Sequence, residues 1–128
     1  MQAIDGDGSP WSYLEASLFT REIAEFGALW HGCDWSTHTI LGANPFGGGP
    51  APGRVTRDAD AWEWTEPVPD QWRPTVSMQG DAVTVTMYTH SALGSERIVR
   101  LVDRYAPGAY VAERESGVLA EGPGGFVF

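Results

Sequence analysis

The sequence contains no lysine, since all eight basic residues are arginine, and these are opposed by seventeen acidic residues. Without lysine the chain cannot form a Schiff base with a substrate, anchor pyridoxal phosphate or build a phosphate-binding loop around that side chain. The formal net charge of −9 argues against a nucleic-acid partner, because binding nucleic acid depends on neutralising its phosphates. The sequence therefore predicts neither a nucleic-acid partner nor a bound cofactor.

Cysteine and long apolar runs are also scarce. Cys33 is the only cysteine, so an intramolecular disulfide cannot form and nothing indicates an oxidising compartment. No stretch approaches the roughly 20 apolar residues of a membrane helix. The segment from Met1 to Pro10 lacks the positive charge and apolar centre of a secretory signal. We therefore expect no membrane partner and a cytoplasmic location.

The length of 128 residues and the hydrophobic content of 42% suit one globular domain with its own core. Residues 1–8 are acidic and rich in glycine, which predicts a flexible tail before a single domain at 9–128. A loop rich in glycine and proline is expected at 44–61.

An amphipathic helix is predicted at the start of the domain. Ser9 followed by Pro10 is one typical helix start, and Ser12 with Glu15 is another. Apolar residues then recur at spacings of three and four positions: Ala16, Phe19, Ile23, Phe26 and Trp30. This period predicts a helix of about twenty residues that ends near Gly32 and packs this stripe against the core.

Most of the remaining chain predicts short strands. Gly80-Asp81 lies between the alternating segments 75–79 and 82–90, which predicts a hairpin. The other expected strands are Thr37–Leu41, a brief strand around Trp62 and Trp64, Tyr110–Arg114, Val118–Glu121 and Phe126–Phe128. Segment 95–105 fits both a helix and a strand, and the spacing of its apolar residues favours a second helix.

These elements predict an α+β fold. The long amino-terminal helix is expected to pack across a curved, mostly antiparallel sheet, for which a cone or half-barrel is one available form. A hollow between the helix and the sheet is the expected place for a ligand.

The densest group of reactive side chains lies at residues 30–38. Zinc prefers imidazole and thiolate ligands, so His31, Cys33 and His38 could hold a metal. Cys33 could alternatively be a nucleophile with a histidine as its base. The structural interpretation is favoured, however, because a histidine in a last helical turn caps carbonyls and a lone cysteine often packs as a small apolar residue.

Six tryptophans are more than a core of this size needs. Trp35, Trp62 and Trp64 are predicted to contact a ligand, because an indole offers a large apolar face and one N–H donor. With the acidic residues around them, Trp62 and Trp64 could instead present a surface to a basic protein, or simply cover one end of the sheet.

Three polar side chains are candidates for catalysis. Tyr88 and His90 share one face of the predicted strand 82–90, and His38 lies on the predicted strand 37–41. If these faces point into the hollow, they supply a phenol and two imidazoles to a bound ligand. His38, Tyr88 and His90 are therefore the predicted catalytic residues.

Three hypotheses of function follow. The preferred one is a small-molecule-binding domain with an aromatic-lined pocket, which could be a cofactor-independent enzyme of the isomerase, cyclase or hydrolase type. The second is an acidic interaction module, such as an inhibitor or immunity protein, that covers a basic partner. The third is a metalloprotein that uses His31, Cys33 and His38. A homodimer is compatible with each of them.

Overall fold

The computed structural model describes residues 6–27, 34–46 and 58–127. Its elements in chain order are helix α1 (Pro10–Glu25) and strands β1 (Thr39–Ile40), β2 (Glu63–Trp64), β3 (Thr75–Gln79), β4 (Ala82–Ser91), β5 (Arg97–Tyr105) and β6 (Ala112–Glu121). Two 3-10 turns, Trp35–Thr37 and Ala59–Ala61, precede β1 and β2.

The strands form one antiparallel sheet with β4 and β5 at its centre. The order is β1-β4-β5-β6-β2, and β3 also pairs with β4. Because β5 occupies one edge of β4 along its whole length, β1 and β3 share the other edge. Within the described residues the curved sheet stays open rather than closing into a barrel. The predicted α+β class, with a helix packed on a curved antiparallel sheet, is confirmed.

Helix α1 begins at the first of the two predicted starts, with Ser9 as its cap. The Ser9 side chain accepts a hydrogen bond from the Ser12 backbone N–H at 3.3 Å, and Pro10 occupies the first turn. Tyr110 fixes this end to the sheet, because its hydroxyl lies 2.9 Å from Ser12 Oγ and accepts from the Gly8 N–H at 2.8 Å. The start of the helix is thus set by its own cap and by one aromatic residue next to β6.

The end of α1 differs from the prediction. The helix stops at Glu25 rather than near Gly32, because Phe26 turns to extended backbone and Gly27 adopts a φ of +78°. Glycine commonly ends a helix in this conformation, since it lacks the Cβ that would make it costly. The predicted helix was therefore too long.

Among the described residues of the predicted apolar stripe, only Ala16 is buried. Phe19 is half exposed, whereas the buried side chains of the helix are Tyr13, Ala16, Ser17 and Arg21. Two of these have polar partners in the sheet. Ser17 Oγ lies 2.7 Å from the Tyr105 hydroxyl, and Arg21 forms an ion pair with Asp103. The helix faces the sheet along these contacts rather than along its most apolar line.

Segment 95–105 forms strand β5 rather than the favoured second helix. It pairs with both β4 and β6, and its two faces are covered. Val99 and Leu101 pack on the α1 side, while Ile98 packs on the opposite side. A strand buried on both faces carries apolar residues in succession, so its sequence resembles a buried helix. That resemblance explains the wrong prediction.

The predicted hairpin of β3 and β4 is confirmed, with Gly80 in the turn at a φ of +61°. The predicted brief strand at Trp62 and Trp64 is present as β2. The predicted strand Thr37–Leu41 is shorter than expected, because residues 35–37 form a 3-10 turn and only Thr39–Ile40 pair with β4.

The carboxyl-terminal part contains one long strand instead of two short ones. The predicted strands Tyr110–Arg114 and Val118–Glu121 belong to the continuous β6, which passes through Ser116 and Gly117. A bulge places Leu119 out of register with β5. Near the end of the chain Phe126 forms a single bridge with Leu93 in place of a third strand.

Two predicted flexible segments extend beyond the described residues. Residues 1–5 of the predicted tail and residues 47–57 of the predicted 44–61 loop are outside that set. The described ends of both segments contact the domain, at Gly8 through Tyr110 and at Phe46 through the core.

Each face of the sheet carries its own core. The core on the α1 side consists of Tyr13, Ala16, Val83, Val85, Met87, Val99, Leu101 and Tyr105. The core on the opposite side consists of Leu41, Trp62, Trp72, Ile98, Leu119 and Ala120, with Phe46, Trp64 and Tyr88 packed against it. Burial along β4 alternates accordingly, with Val83, Val85 and Met87 buried towards α1.

Candidate functional site

A cavity of about 430 Å³ lies between the carboxyl-terminal half of α1 and the sheet. Its floor is formed by alternate residues of the two neighbouring strands β5 and β6: Val99, Leu101, Ser116 and Val118. The α1 residues Arg21, Ala24 and Glu25 form a second wall. The cavity is where the sequence predicted a hollow, and its volume is within the range of small-molecule pockets.

The third wall of the cavity is the 3-10 turn and the residues beside it. Asp34, Trp35 and His38 line this wall. The Glu25 carboxylate holds the turn in place, because it accepts hydrogen bonds from the backbone N–H groups of Trp35 and of Ser36, the latter at 2.9 Å. The last residue of α1 therefore caps the turn that carries Trp35.

Trp35 is fixed by contacts with three neighbouring side chains. Its Nε1 donates to the Glu22 carboxylate at 2.9 Å, and the Arg21 guanidinium lies 5.6 Å from its ring centroid. The His38 ring stacks on it, with centroids 5.9 Å apart and an angle of 19° between the planes. The predicted ligand contact Trp35 thus lies in the cavity wall as a pre-positioned aromatic surface.

His38 is the candidate for acid–base chemistry that lies in this cavity. Its side chain is only 6% exposed, and its Nδ1 lies 2.7 Å from Oγ1 of the buried Thr89. Burial lowers the pKa of His38 below its ordinary value of 6.5; the nearby Asp34 carboxylate opposes this shift, and the Arg97 guanidinium adds to it. His38 is therefore neutral at pH 7.

The surroundings of His38 define what the imidazole can do. Its Nε2 lies 3.6 Å from Oδ2 of Asp34, which would stabilise an imidazolium formed after proton transfer. A neutral imidazole beside a cavity can accept a proton from a bound molecule or donate a hydrogen bond to it. The arrangement is suited to orienting a polar group of a ligand.

Three arginines line the same cavity, although the chain contains only eight basic residues. Arg21 binds Asp103 with two hydrogen bonds of 2.6 and 2.7 Å. Arg97 binds Asp34 at 3.2 Å. Arg114 forms no ion pair or hydrogen bond within the described part of the chain, and its guanidinium is available to a ligand.

Tyr88 and His90 do not lie in this cavity. They alternate with Thr89 along β4, so they point to the opposite face of the sheet from His38 and its partner. Tyr88 packs edge-on against Trp72 at 5.6 Å, and His90 Nε2 lies 2.9 Å from Glu96. The three predicted catalytic residues are thus divided between the two faces of the sheet.

Trp62 and Trp64 also belong to the face opposite α1. Both contact Phe46, at centroid distances of 5.5 and 5.7 Å, and Trp62 also packs 6.2 Å from His90. Trp62 is 5% exposed, so its ring does not form an accessible surface for a protein partner. Of the three predicted ligand contacts, the structure places Trp35 in the cavity and the other two in the aromatic core.

The predicted metal and nucleophile sites cannot be assembled from the described residues. His31 and Cys33 lie outside them. Among the residues that are described, no three His, Cys, Asp or Glu side chains are grouped to hold a metal ion. In the same part of the chain, no helix is long and apolar enough to cross a membrane.

Sequence reasoning missed Thr89, Arg114 and Ser116 as candidate site residues. Arg97 lies in segment 95–105, for which a second helix was favoured; in β5 it faces the cavity and Arg100 faces away. Arg114 and Ser116 share a face of β6 because they are two residues apart. These two residues could have been recognised only if residues 112–121 had been predicted as one continuous strand through Ser116 and Gly117.

No family model, curated protein or solved structure matches the chain.

Proposed function

We propose that this protein binds a small organic molecule in the cavity between α1 and strands β5 and β6. One observation carries the proposal: an apolar floor and an aromatic wall enclose about 430 Å³ together with a neutral histidine and an arginine that has no partner within the described residues. Ligand sites commonly combine a mostly apolar lining with a few convergent polar groups.

The walls of the cavity are held in place by contacts that do not need a ligand. Arg21 is fixed by Asp103, Trp35 is fixed by Glu22, and the turn that carries Trp35 is capped by Glu25. The hydrogen-bonding groups of these walls therefore have partners within the protein before any ligand binds. A site built in this way loses little conformational entropy when it binds a ligand, which favours affinity.

The apolar contacts support the same conclusion. Val99 and Leu101 are each 7% exposed and Val118 is 39% exposed, so the floor runs from a closed inner part to an open edge at β6. Burying an apolar group on this floor would contribute about 25 cal/mol for each Å² removed from water. The floor can hold the body of a ligand that enters from the β6 side.

The test fills the mouth of the cavity and uses the fluorescent dye 1-anilinonaphthalene-8-sulfonate as the probe. In Val118→Trp an indole is placed at the open edge, and we expect at least about a tenfold weaker dye affinity than in the unchanged protein. Val111→Trp is the matched control, because Val111 is 74% exposed and does not line the cavity. It should bind the dye as the unchanged protein does.

Both variants are first checked for folding by circular dichroism and urea denaturation. The dye also adheres to exposed apolar surface, such as Trp11 on α1 and Phe26 just after it, and the Val118 substitution leaves that surface intact. Equal dye binding by the two folded variants, or no binding by the unchanged protein, would contradict the proposal.

A further inference from the structure

From the charges around the cavity we infer that its ligand is an organic carboxylate, with the carboxylate at Arg114 and Ser116 and an apolar body along Val99, Leu101 and Val118. This inference rests on the proposed function and specifies its ligand class. It depends on the distribution of charge between the two ends of the cavity.

At the Arg114 end of the cavity, the Arg114 guanidinium has no counter-ion within the described residues. Asp103 is directly opposite Arg114 in the β5–β6 ladder, but both of its carboxylate oxygens bind Arg21. The Asp103 carboxylate is therefore occupied by the Arg21 guanidinium and is not paired with Arg114.

The acidic residues next to Arg114 in the chain do not neutralise it from the cavity side. Glu113 and Glu115 alternate with Arg114 along β6, so they point to the other face of the sheet. There Glu115 binds Arg104 at 2.8 Å. The cavity side of β6 thus presents the Arg114 guanidinium without an acid beside it on the strand.

Ser116 adds a hydroxyl group next to this charge. It lies two residues after Arg114 on the same face and lines the same cavity. A planar guanidinium can donate two parallel hydrogen bonds to a carboxylate, and a neighbouring hydroxyl can donate a third. The pair is therefore suited to a carboxylate that is held at the open edge of the sheet.

The opposite end of the cavity carries the carboxylates of Asp34 and Glu25. Arg97 binds Asp34 at 3.2 Å, and His38 is neutral at pH 7. Because these two carboxylates disfavour an anion at this end, a ligand with one carboxylate is oriented with its charge towards Arg114.

The floor between the two ends of the cavity is apolar, and its length limits the length of the ligand's apolar body. Val118 is four residues from Arg114 on one strand, which corresponds to about 13 Å. Val99 is paired with Val118, and Leu101 is paired with Ser116, so both lie along this path. A carboxylate with an aryl or alkyl body of roughly ten ångströms fits between Arg114 and the His38 end.

The test compares 4-phenylbutyrate with its neutral amide, 4-phenylbutanamide, by isothermal titration calorimetry. The two probes share the same body and differ in charge. In the unchanged protein we expect the acid to bind about tenfold more tightly than the amide. Raising the ionic strength should weaken the binding of the acid and leave the binding of the amide nearly unchanged, because salt screens exposed charges.

Arg114→Gln tests the position of the anion, and Arg104→Gln is its control. Both substitutions remove one positive charge, but Arg104 lies on the other face of the sheet and binds Glu115. Arg114→Gln should lower the affinity for the acid about five- to tenfold and leave the affinity for the amide unchanged. Arg104→Gln should change the affinity for neither probe.

The outcomes separate this inference from the proposed function. If the acid and amide bind equally well, or if both arginine variants have the same effect, the carboxylate assignment is overturned while a small-molecule cavity stands. If neither probe binds but the dye test with Val118→Trp succeeds, the ligand class is likewise wrong. If the dye test fails as well, both proposals fall.

Discussion

Arg21 and Asp103 form a buried, two-pronged ion pair that joins helix α1 to strand β5. The side chain of Asp103 is fully buried and that of Arg21 is 9% exposed. Arg21 also donates to the Ser17 carbonyl at 2.8 Å, so the guanidinium has several acceptors. This pair places the helix over the sheet and fixes Arg21 in the wall of the cavity.

Breaking the pair from one side should destabilise the protein strongly. Asp103→Asn leaves the Arg21 charge buried without its counter-ion, and we expect a loss of about 3–5 kcal/mol in the free energy of unfolding. The measurement is the urea midpoint followed by tryptophan fluorescence. Glu115→Gln is the control, because it breaks the exposed Arg104–Glu115 pair and should hardly move the midpoint.

Replacing both partners by apolar residues should restore part of this loss. The double variant Arg21→Met with Asp103→Leu leaves no unpaired charge, so we expect it to be more stable than Asp103→Asn alone. A double variant as unstable as the single one would show that the pair is not the cause. Equal urea midpoints for Asp103→Asn and Glu115→Gln would show the same.

The protonation of His38 should link stability to pH. Burial lowers the pKa of His38 in the folded state, so below its ordinary value of 6.5 the unfolded chain binds the proton more readily. The contribution of neutral His38 is present above pH 6.5 and is lost as the pH falls through the folded pKa. Proton NMR titration should show the His38 ring titrating below the ordinary value.

The control for this prediction is a pair of histidine variants. His38→Gln should reduce the loss of stability on acidification below pH 6.5, measured as urea midpoints over a pH series. The ring signal that disappears in His38→Gln is that of His38, and His90→Gln removes a different one of the three histidine signals. A His38 ring that titrates above its ordinary value would contradict the described burial.

Gly122 and Gly117 should respond oppositely to substitution by alanine. A Cβ on Gly122 would lie 2.7 Å from the Trp62 ring and 2.9 Å from Glu96 Oε2, so the aromatic core would have to shift. We expect Gly122→Ala to lose about 1–3 kcal/mol of unfolding free energy, as overpacked cores do. Urea denaturation measures the change.

Gly117→Ala is the matched control for that measurement. Among the described residues, nothing lies within 4 Å of a Cβ at this position of β6. Alanine reduces the freedom of the unfolded chain, so we expect unchanged stability or a gain of up to about 1 kcal/mol. An equal loss in both variants would indicate that the strand, and not the contact with Trp62, is sensitive to the change.

The parts of the fold that the sequence predicted depend on short-range signals. The cap formed by Ser9 with Pro10 and the turn at Gly80-Asp81 lie where expected. Each is decided by a few neighbouring residues, because a cap needs one side-chain acceptor and a tight turn needs one residue that tolerates positive φ.

The wrong predictions share one physical cause. Strand β5 was assigned as a helix because it is buried on both faces, and the inward face of α1 was assigned to its apolar stripe although Arg21 and Ser17 are buried instead. In both places the environment comes from partners far along the chain, such as Asp103. A local pattern contains no information about such partners.

The candidate site was predicted in part. The hollow beneath the helix follows from the predicted packing of a helix on a curved sheet, and two residues chosen for their side-chain chemistry, Trp35 and His38, line it. Tyr88 and His90 were assigned to one strand face correctly, but that face packs against Trp62 and Trp72. Alternation shows which residues share a face and does not show which face meets the helix.

The sequence by itself determined the class of the fold, the start of the helix, the hairpin and the alternation along β4. Each of these depends on the pattern of residues that are close in the chain. Only the tertiary structure decided that Arg114 and Ser116 join Trp35 and His38 at one cavity while Tyr88 and His90 lie behind the sheet. The reason is that strand pairing and the Arg21–Asp103 ion pair orient α1 relative to the sheet, and both join residues distant in the chain.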